Sequence, residues 1–208
     1  MFKQIVVAGM GRCGTSLVLN AVCRSSGRGH RWVTSLADAP RLSPKIIKTH
    51  DFAPSHPVPS SVKFIYLFGN PMQIICSAER KGGEFLKKHY PHMNANYSSH
   101  ADIYIRDTMR LAENLRSWQK TSWIDVLMLR YETLWDYQEK ISDFLGFEVV
   151  LPEYRKRSSD LQAHPKRHEL ILTYGDLNAS IELLPDCECR LEGSKNWISM
   201  FKYHVLND

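Results

Sequence analysis

Two short stretches hold side chains whose types and spacing suit chemistry. The first is Gly9-Met10-Gly11-Arg12-Cys13-Gly14-Thr15-Ser16, a glycine-rich run that carries one guanidinium and ends on two hydroxyls. Between a strand and a helix, such a run turns backbone N–H groups and the positive end of the helix toward a phosphate. Gly9 and Gly14 have the spacing of the two fixed glycines of a Walker A loop. A nucleoside triphosphate kinase also needs a lysine after the second glycine to hold the β- and γ-phosphates, and Thr15 stands there instead. The run points to a phosphate held with Arg12 as the cation, and away from ATP hydrolysis. Read without a ligand, it is a plain glycine turn.

The second stretch is Lys48-Thr49-His50, which follows the apolar pair Ile46-Ile47. In open α/β sheets, ligands bind at the carboxyl ends of the strands. A histidine placed there can take a proton from a hydroxyl near neutral pH, because its unperturbed pKa is about 6.5. Lys48 precedes His50 by two residues, so on an extended chain both project to the same side. Taken alone, the pair also reads as a locally bonded histidine beside a solvated lysine.

Both stretches need strands that end where they begin. Residues 4–8 form a short buried strand in this reading, with a helix predicted over about 15–23. A second strand is predicted over 44–49 and a third over 62–68, the latter apolar throughout, as suits a strand covered on both faces. Pro71 fits the first position of a helix predicted over 71–88. An amphipathic helix over 101–120 follows, then a fourth strand over 124–130 and a helix over 135–145 closed by Gly146. Residues 150–192 show weak periodicity, and a last short helix is predicted over 196–203. Strands alternating with helices specify an α/β fold with a parallel sheet. The expectation is a single three-layer, P-loop NTPase-like domain over residues 1–208, with a central sheet of about four or five strands.

Composition narrows the function classes. With 208 residues, 43% of them hydrophobic, the chain can bury a sizeable core, and 24% charged residues is ordinary for a soluble domain. A net charge of +5 suits an anionic ligand but falls short of a nucleic-acid binder, so no nucleic-acid partner is expected. Five cysteines make an odd number, and Cys23 and Cys76 fall in predicted helices, which points to reduced thiols. Cys187 and Cys189 lack two further ligands at zinc spacing, so no metal is expected. No apolar run is long enough to span a bilayer, and Met1-Phe2-Lys3-Gln4 leads straight into a strand. The expected setting is cytoplasmic, if Met1 is the native start, with no membrane partner. The basic runs at 155–157 and 165–167 read as solvated surface, or as a groove for an anionic sugar. The stretch His89-Tyr90-Pro91-His92-Met93-Asn94 has no spacing that specifies a chemistry.

In their order along the chain, these motifs resemble the PAPS-dependent sulfotransferase family, and most closely its cytosolic members. That family's loop sets a lysine or arginine two residues before a glycine followed by hydroxylated residues, as Arg12, Gly14, Thr15 and Ser16 do. Its Lys-Thr-His after a strand, with histidine as base, is similar to Lys48-Thr49-His50. Its third strand ends in arginine, then asparagine or aspartate and proline, with a serine eight residues after the arginine. Here Gly69-Asn70-Pro71 leads to Ser77, with glycine at the arginine position. Val126–Glu132 and Phe144-Leu145-Gly146 resemble the strand and helix of its tyrosine–glutamate segment, and Arg190, Trp197 and Phe201 match the spacing of its C-terminal arginine, tryptophan and phenylalanine. Leu17 and Asp51 stand where the family has a stacking tryptophan and an apolar residue.

The resemblance implies a donor, PAPS (3′-phosphoadenosine 5′-phosphosulfate), whose 5′-phosphosulfate lies on Gly11, Arg12, Cys13, Gly14, Thr15 and Ser16. Ser77 would hold the 3′-phosphate, with Arg190, or Arg80 one turn beyond Ser77, replacing the missing arginine, and Tyr131 would lie near the adenine. His50 would be the general base, with Lys48 and Arg12 stabilising charge on the sulfuryl group and bridging oxygen. The acceptor would be a small molecule or carbohydrate that bears a hydroxyl or amine. A P-loop nucleotide kinase and a nucleotide-binding module without catalysis are the alternatives, the second motivated by Gly69 and Leu17.

Overall fold

Short runs of branched and apolar residues pair side by side in the computed structural model, which describes residues 4–38, 45–97, 99–155 and 160–191. The strands are β1 (Gln4–Gly9), β2 (His30–Trp32), β3 (Ile46–Lys48), β4 (Val62–Phe68), β5 (Asp125–Arg130) and β6 (Cys187–Arg190). They form one sheet in the order β2-β3-β1-β4-β5-β6. The first five are parallel, and β6 runs antiparallel to β5. Every residue of β1 and β3 is buried, and β4 and β5 are buried except at Lys63 and Asp125. Burial on both pleat faces requires helices on both sides of the sheet.

The α/β class holds, with two corrections. The sheet has six strands rather than four or five, and one edge is antiparallel. Both additional strands lie at edges. All three residues of β2 are exposed, and β6 lies where the sequence shows weak periodicity. An edge strand pairs through its backbone with a single neighbour, so it needs no run of apolar side chains to form.

The helices are α1 (Thr15–Ser26), α2 (Pro71–Glu79), α3 (Gly83–His89), α4 (Leu111–Lys120), α5 (Gln138–Leu145) and α6 (Arg167–Glu182). Asn70 caps α2, its side chain accepting the Gln73 N–H, with Pro71 at the first helical position. The helix predicted over 71–88 is two helices, divided before Gly82-Gly83. The one predicted over 101–120 begins only at Leu111, because the Asp107 carboxylate accepts the N–H groups of Leu111 and Ala112 at 3.0 and 2.8 Å. Helix α6 lies within the stretch of weak periodicity, because exposed Ile171 and Leu172 beside buried Leu170 blur its pattern. The helix predicted over 196–203 lies outside the described residues.

The core reaches directly into the segment after β3. Trp118 of α4 is fully buried and stacks on Tyr66 of β4, with ring centroids 4.9 Å apart. The Tyr66 hydroxyl donates to Asn114 Oδ1 at 2.9 Å, and Asn114 Nδ2 donates to the carbonyls of His50 and Asp51, both at 3.1 Å. Trp118 Nε1 also donates to the Asp51 carbonyl at 3.1 Å. These bonds satisfy two carbonyls that leave the sheet, and they hold the backbone at His50 rigid. The chain builds first to one side of β1, through β2 and β3, and then to the other, through β4 and β5. That reversal opens a crevice at the carboxyl ends of the central strands.

Candidate active site

The carboxyl end of β1 runs into the glycine loop, and that of β3 delivers Lys48 and His50 beside it. Gly14 has φ 84°, and a Cβ there would lie 2.5 Å from the Tyr131 ring, so any side chain would strain the backbone and collide. Helix α1 starts at Thr15 with no side-chain cap and no acidic residue in its first turn, which leaves a positive helix end at the loop. Arg12 sits in the left-handed region at φ 65°. That conformation costs about 1–3 kcal/mol in a non-glycine residue and is typical of ligand loops. The Cys13 thiol turns inward to the carbonyls of Met10 and Leu67, so Cys13 offers the loop only its backbone.

Lys48 and His50 are buried, each against a partner that sets its state. Lys48 Nζ donates to Ser16 Oγ at 2.6 Å and lies 4.0 Å from the centroid of the Trp32 ring. Burial, and after it the Arg12 charge, pushes the Lys48 ammonium down to about 8. His50 Nδ1 lies 2.8 Å from the Gly9 carbonyl oxygen. A carbonyl can only accept, so Nδ1 carries the proton and the lone pair is on Nε2. Burial, then the neighbouring His89, holds His50 well below the ordinary imidazole value. The ring is therefore neutral near pH 7, as a general base must be.

Arg12 reaches across to α2, where its Nε donates to Ser77 Oγ at 3.3 Å, and its guanidinium lies 5.4 Å from the Phe85 ring centroid. The loop, Lys48, His50 and Ser77 thus come together. Tyr131 packs on Gly14 and helps line an adjoining cleft of about 450 Å³ with Leu17, Trp135, Pro152, Glu153 and Arg155. Asp51 does not bond to the His50 ring. Its carboxylate accepts the N–H groups of Leu36 (2.6 Å) and Phe52 (2.8 Å) and the Asn94 amide, which ties three loops together. Gly69 faces a carboxylate: a Cβ there would lie 2.9 Å from Glu132 Oε2.

Arg190 requires a correction. Its partner across the β5–β6 ladder is Val126, at the amino end of β5, so it lies at the sheet edge opposite the loop. Its guanidinium donates to the carbonyls of Trp118 (2.8 Å), Gln119 (2.7 Å) and Thr121 (3.1 Å). These carbonyls end α4 and have no intrahelical partner, and a cation there also opposes the helix dipole. Arg190 thus serves the fold. Arg190→Ala should lower stability by about 2–4 kcal/mol, a fall in Tm of roughly 4–16 °C for a chain of this size. Thermal unfolding measures this. A Tm unchanged alongside weakened binding of a 3′-phosphorylated nucleotide alone would restore the ligand role. Trp197 and Phe201, its companions in the sequence motif, lie outside the described residues.

Three residues join the site without any signal in the sequence. Trp32, from exposed strand β2, covers Lys48 and meets the His50 ring edge-on at 5.5 Å. Its Nε1 donates to His92 Nδ1 at 3.1 Å. His89 lies beside His50, with ring centroids 5.2 Å apart. A three-residue edge strand and a turn with two histidines are recognisable as site elements only once the sheet brings them together.

Comparison with known proteins gives structural neighbours only. The sequence matches no family model and no curated protein. Among solved structures, the chain is similar to mouse sulfotransferase SULT7A1 complexed with PAP, at 16% identity and TM-score 0.42, over 85% of this chain and 66% of that one. It is also similar to retinol dehydratase with androsterone and the inactive cofactor PAP (16% identity, TM-score 0.42, 71% of this chain and 61% of that one). A second retinol dehydratase structure, with retinol and PAP, gives 15% identity and TM-score 0.44 over 72% of this chain and 61% of that one. All three contain PAP. The chain spans 61–66% of the length of these structures.

Proposed function

We propose that the chain is a sulfotransferase that moves the sulfuryl group of PAPS to a hydroxyl or amine on a small-molecule or carbohydrate acceptor. What carries this reading is the placement of a neutral His50, its lone pair on Nε2, with buried Lys48 and half-buried Arg12 at one glycine loop. In the proposed step, Nε2 of His50 takes the acceptor's proton while the acceptor atom attacks sulfur. The bond from sulfur to the bridging oxygen breaks, and the electron pair remains on the 5′-phosphate. Lys48 and Arg12 stabilise the negative charge that grows there. The products are the sulfated acceptor and adenosine 3′,5′-bisphosphate.

The backbone of Gly11, Cys13 and Gly14, with Thr15 and Ser16, serves the 5′-phosphate in this reading. The cleft beside Gly14 takes the adenine, with Tyr131 and Trp135 as its aromatic walls and Trp135 supplying what Leu17 does not. The cation that reaches Ser77 is Arg12. Among the described residues no helix is long and apolar enough to cross a membrane, and the five free thiols suit the cytoplasm.

Calorimetry tests the donor directly. Adenosine 3′,5′-bisphosphate should bind without magnesium and more tightly than ATP, because Thr15 replaces the lysine that a kinase loop uses. Magnesium-dependent ATP binding with no affinity for the bisphosphate would reverse the assignment in favour of a kinase. Bisphosphate binding without sulfate transfer to any of a panel of phenols, sugars and amines would favour the non-catalytic module.

A further inference from the structure

We propose that His89 is an additional anion-binding residue, whose Nε2 hydrogen-bonds an oxygen of the group held at Gly11 and Arg12. This rests on reading the loop as an anion cradle. His89, the last residue of α3, is 6% exposed, and its Nε2 has no hydrogen-bond partner among the described residues. Buried polar nitrogens are almost always bonded, so this one calls for a partner outside the described residues. The nitrogen is aimed at the loop: a Cβ on Gly11 would lie 2.6 Å from it. Only glycine at position 11 leaves the imidazole this close to the loop backbone.

The surroundings fix the ring and choose its ligand. His89 stacks on Phe85 at 5.0 Å with 22° between the planes, and the same Phe85 ring carries Arg12 on its face. His50 meets the His89 ring edge-on, with 71° between the planes. With Arg12 and Lys48 close by, an anion is the favoured occupant. Burial, then Arg12, His92 and Lys48, pushes His89 down to about 4, so near pH 7 it is neutral and offers a single N–H. A neutral donor adds a bond to the anion without crowding a further cation beside Arg12 and Lys48. The histidines do not converge as a metal group: no cluster of three metal-ligating side chains occurs among the described residues.

Imidazole nitrogen NMR on the ¹⁵N-labelled full chain tests this, with adenosine 3′,5′-bisphosphate and inorganic pyrophosphate as separate probes. The expected result is a shift of the His89 Nε2 resonance with both. A shift with pyrophosphate alone supports His89 as an anion contact and removes the nucleotide reading. Movement of the Gly11 and Gly14 amides with the bisphosphate while His89 stays still overturns the proposal and leaves the donor assignment intact. Stillness throughout overturns both. In calorimetry, His89→Phe should weaken bisphosphate binding roughly 10-fold or more, since a bond to an anion is lost. His89→Gln, which keeps an N–H, should stay within a few-fold of wild type. Equal losses in both variants would assign His89 to packing alone.

Discussion

On the proposed function, His50→Ala should lower the rate of sulfuryl transfer by about 10²–10⁴-fold, the usual contribution of a general base, while affinity for adenosine 3′,5′-bisphosphate should stay within a few-fold of wild type. The separation follows from geometry. The Nδ1 proton of His50 is committed to the Gly9 carbonyl, and the Asn114 amide holds the His50 carbonyl, so the backbone is anchored independently of the ring. Removing the ring leaves the loop's glycines and helix end in place. Single-turnover transfer from radiolabelled PAPS, set beside bisphosphate titrations, measures both quantities. Activity preserved to within a few-fold would mean that the proton leaves by another route and that His50 has a structural role only.

Lys48 should limit the alkaline side of the pH profile. Its ammonium is pushed down from the ordinary value of 10.5 to about 8, so its charge is present below that pH and is lost as pH rises through it. Because kcat/KM reports the free enzyme, it should fall about tenfold per pH unit above roughly 8. On the acid side His50 keeps its lone pair to well below pH 6.5, so activity persists into mildly acid solution. Lys48→Met should cost about 10²–10³-fold in kcat, the scale for losing one group that stabilises transition-state charge. Lys48→Arg keeps its charge at every working pH, so it should remove the alkaline decline even where its geometry lowers the maximum rate. A wild-type profile flat to pH 10 would show that the Lys48 charge takes no part.

Candidate site residues differ sharply in how legible they are from sequence. Arg12, Gly14, Thr15, Ser16, Lys48 and His50 form two contiguous motifs at strand ends, and the parallel sheet brings strand ends together by construction. Arg190 had the right spacing within its motif, yet β6 runs antiparallel and carries it to the far edge. Spacing along a chain says nothing about strand direction when the connection is long. His89 and His92 form no pattern with neighbours in sequence. Their partners Trp32, Arg12 and His50 lie in other elements, so proximity alone gives them meaning.

The amino-acid order alone specifies the α/β class, the central strands and the loop with its Lys-Thr-His companion. Each depends on local chemistry: continuous apolar runs for buried strands, glycine for a tight loop, and Asn70-Pro71 for a helix start. The tertiary structure alone decided the number of strands, the direction of β6, the role of Arg190 and the membership of the site. Edge strands form through backbone bonds to a neighbour already in place. Arg190 finds its carbonyls only where α4 ends. Lys48 acquires its lowered pKa, and His50 its fixed tautomer, from burial against groups remote in sequence. Desolvation and hydrogen bonds between remote segments exist only once the chain has folded, and they convert a glycine loop and a Lys-Thr-His run into a candidate site with assigned protons.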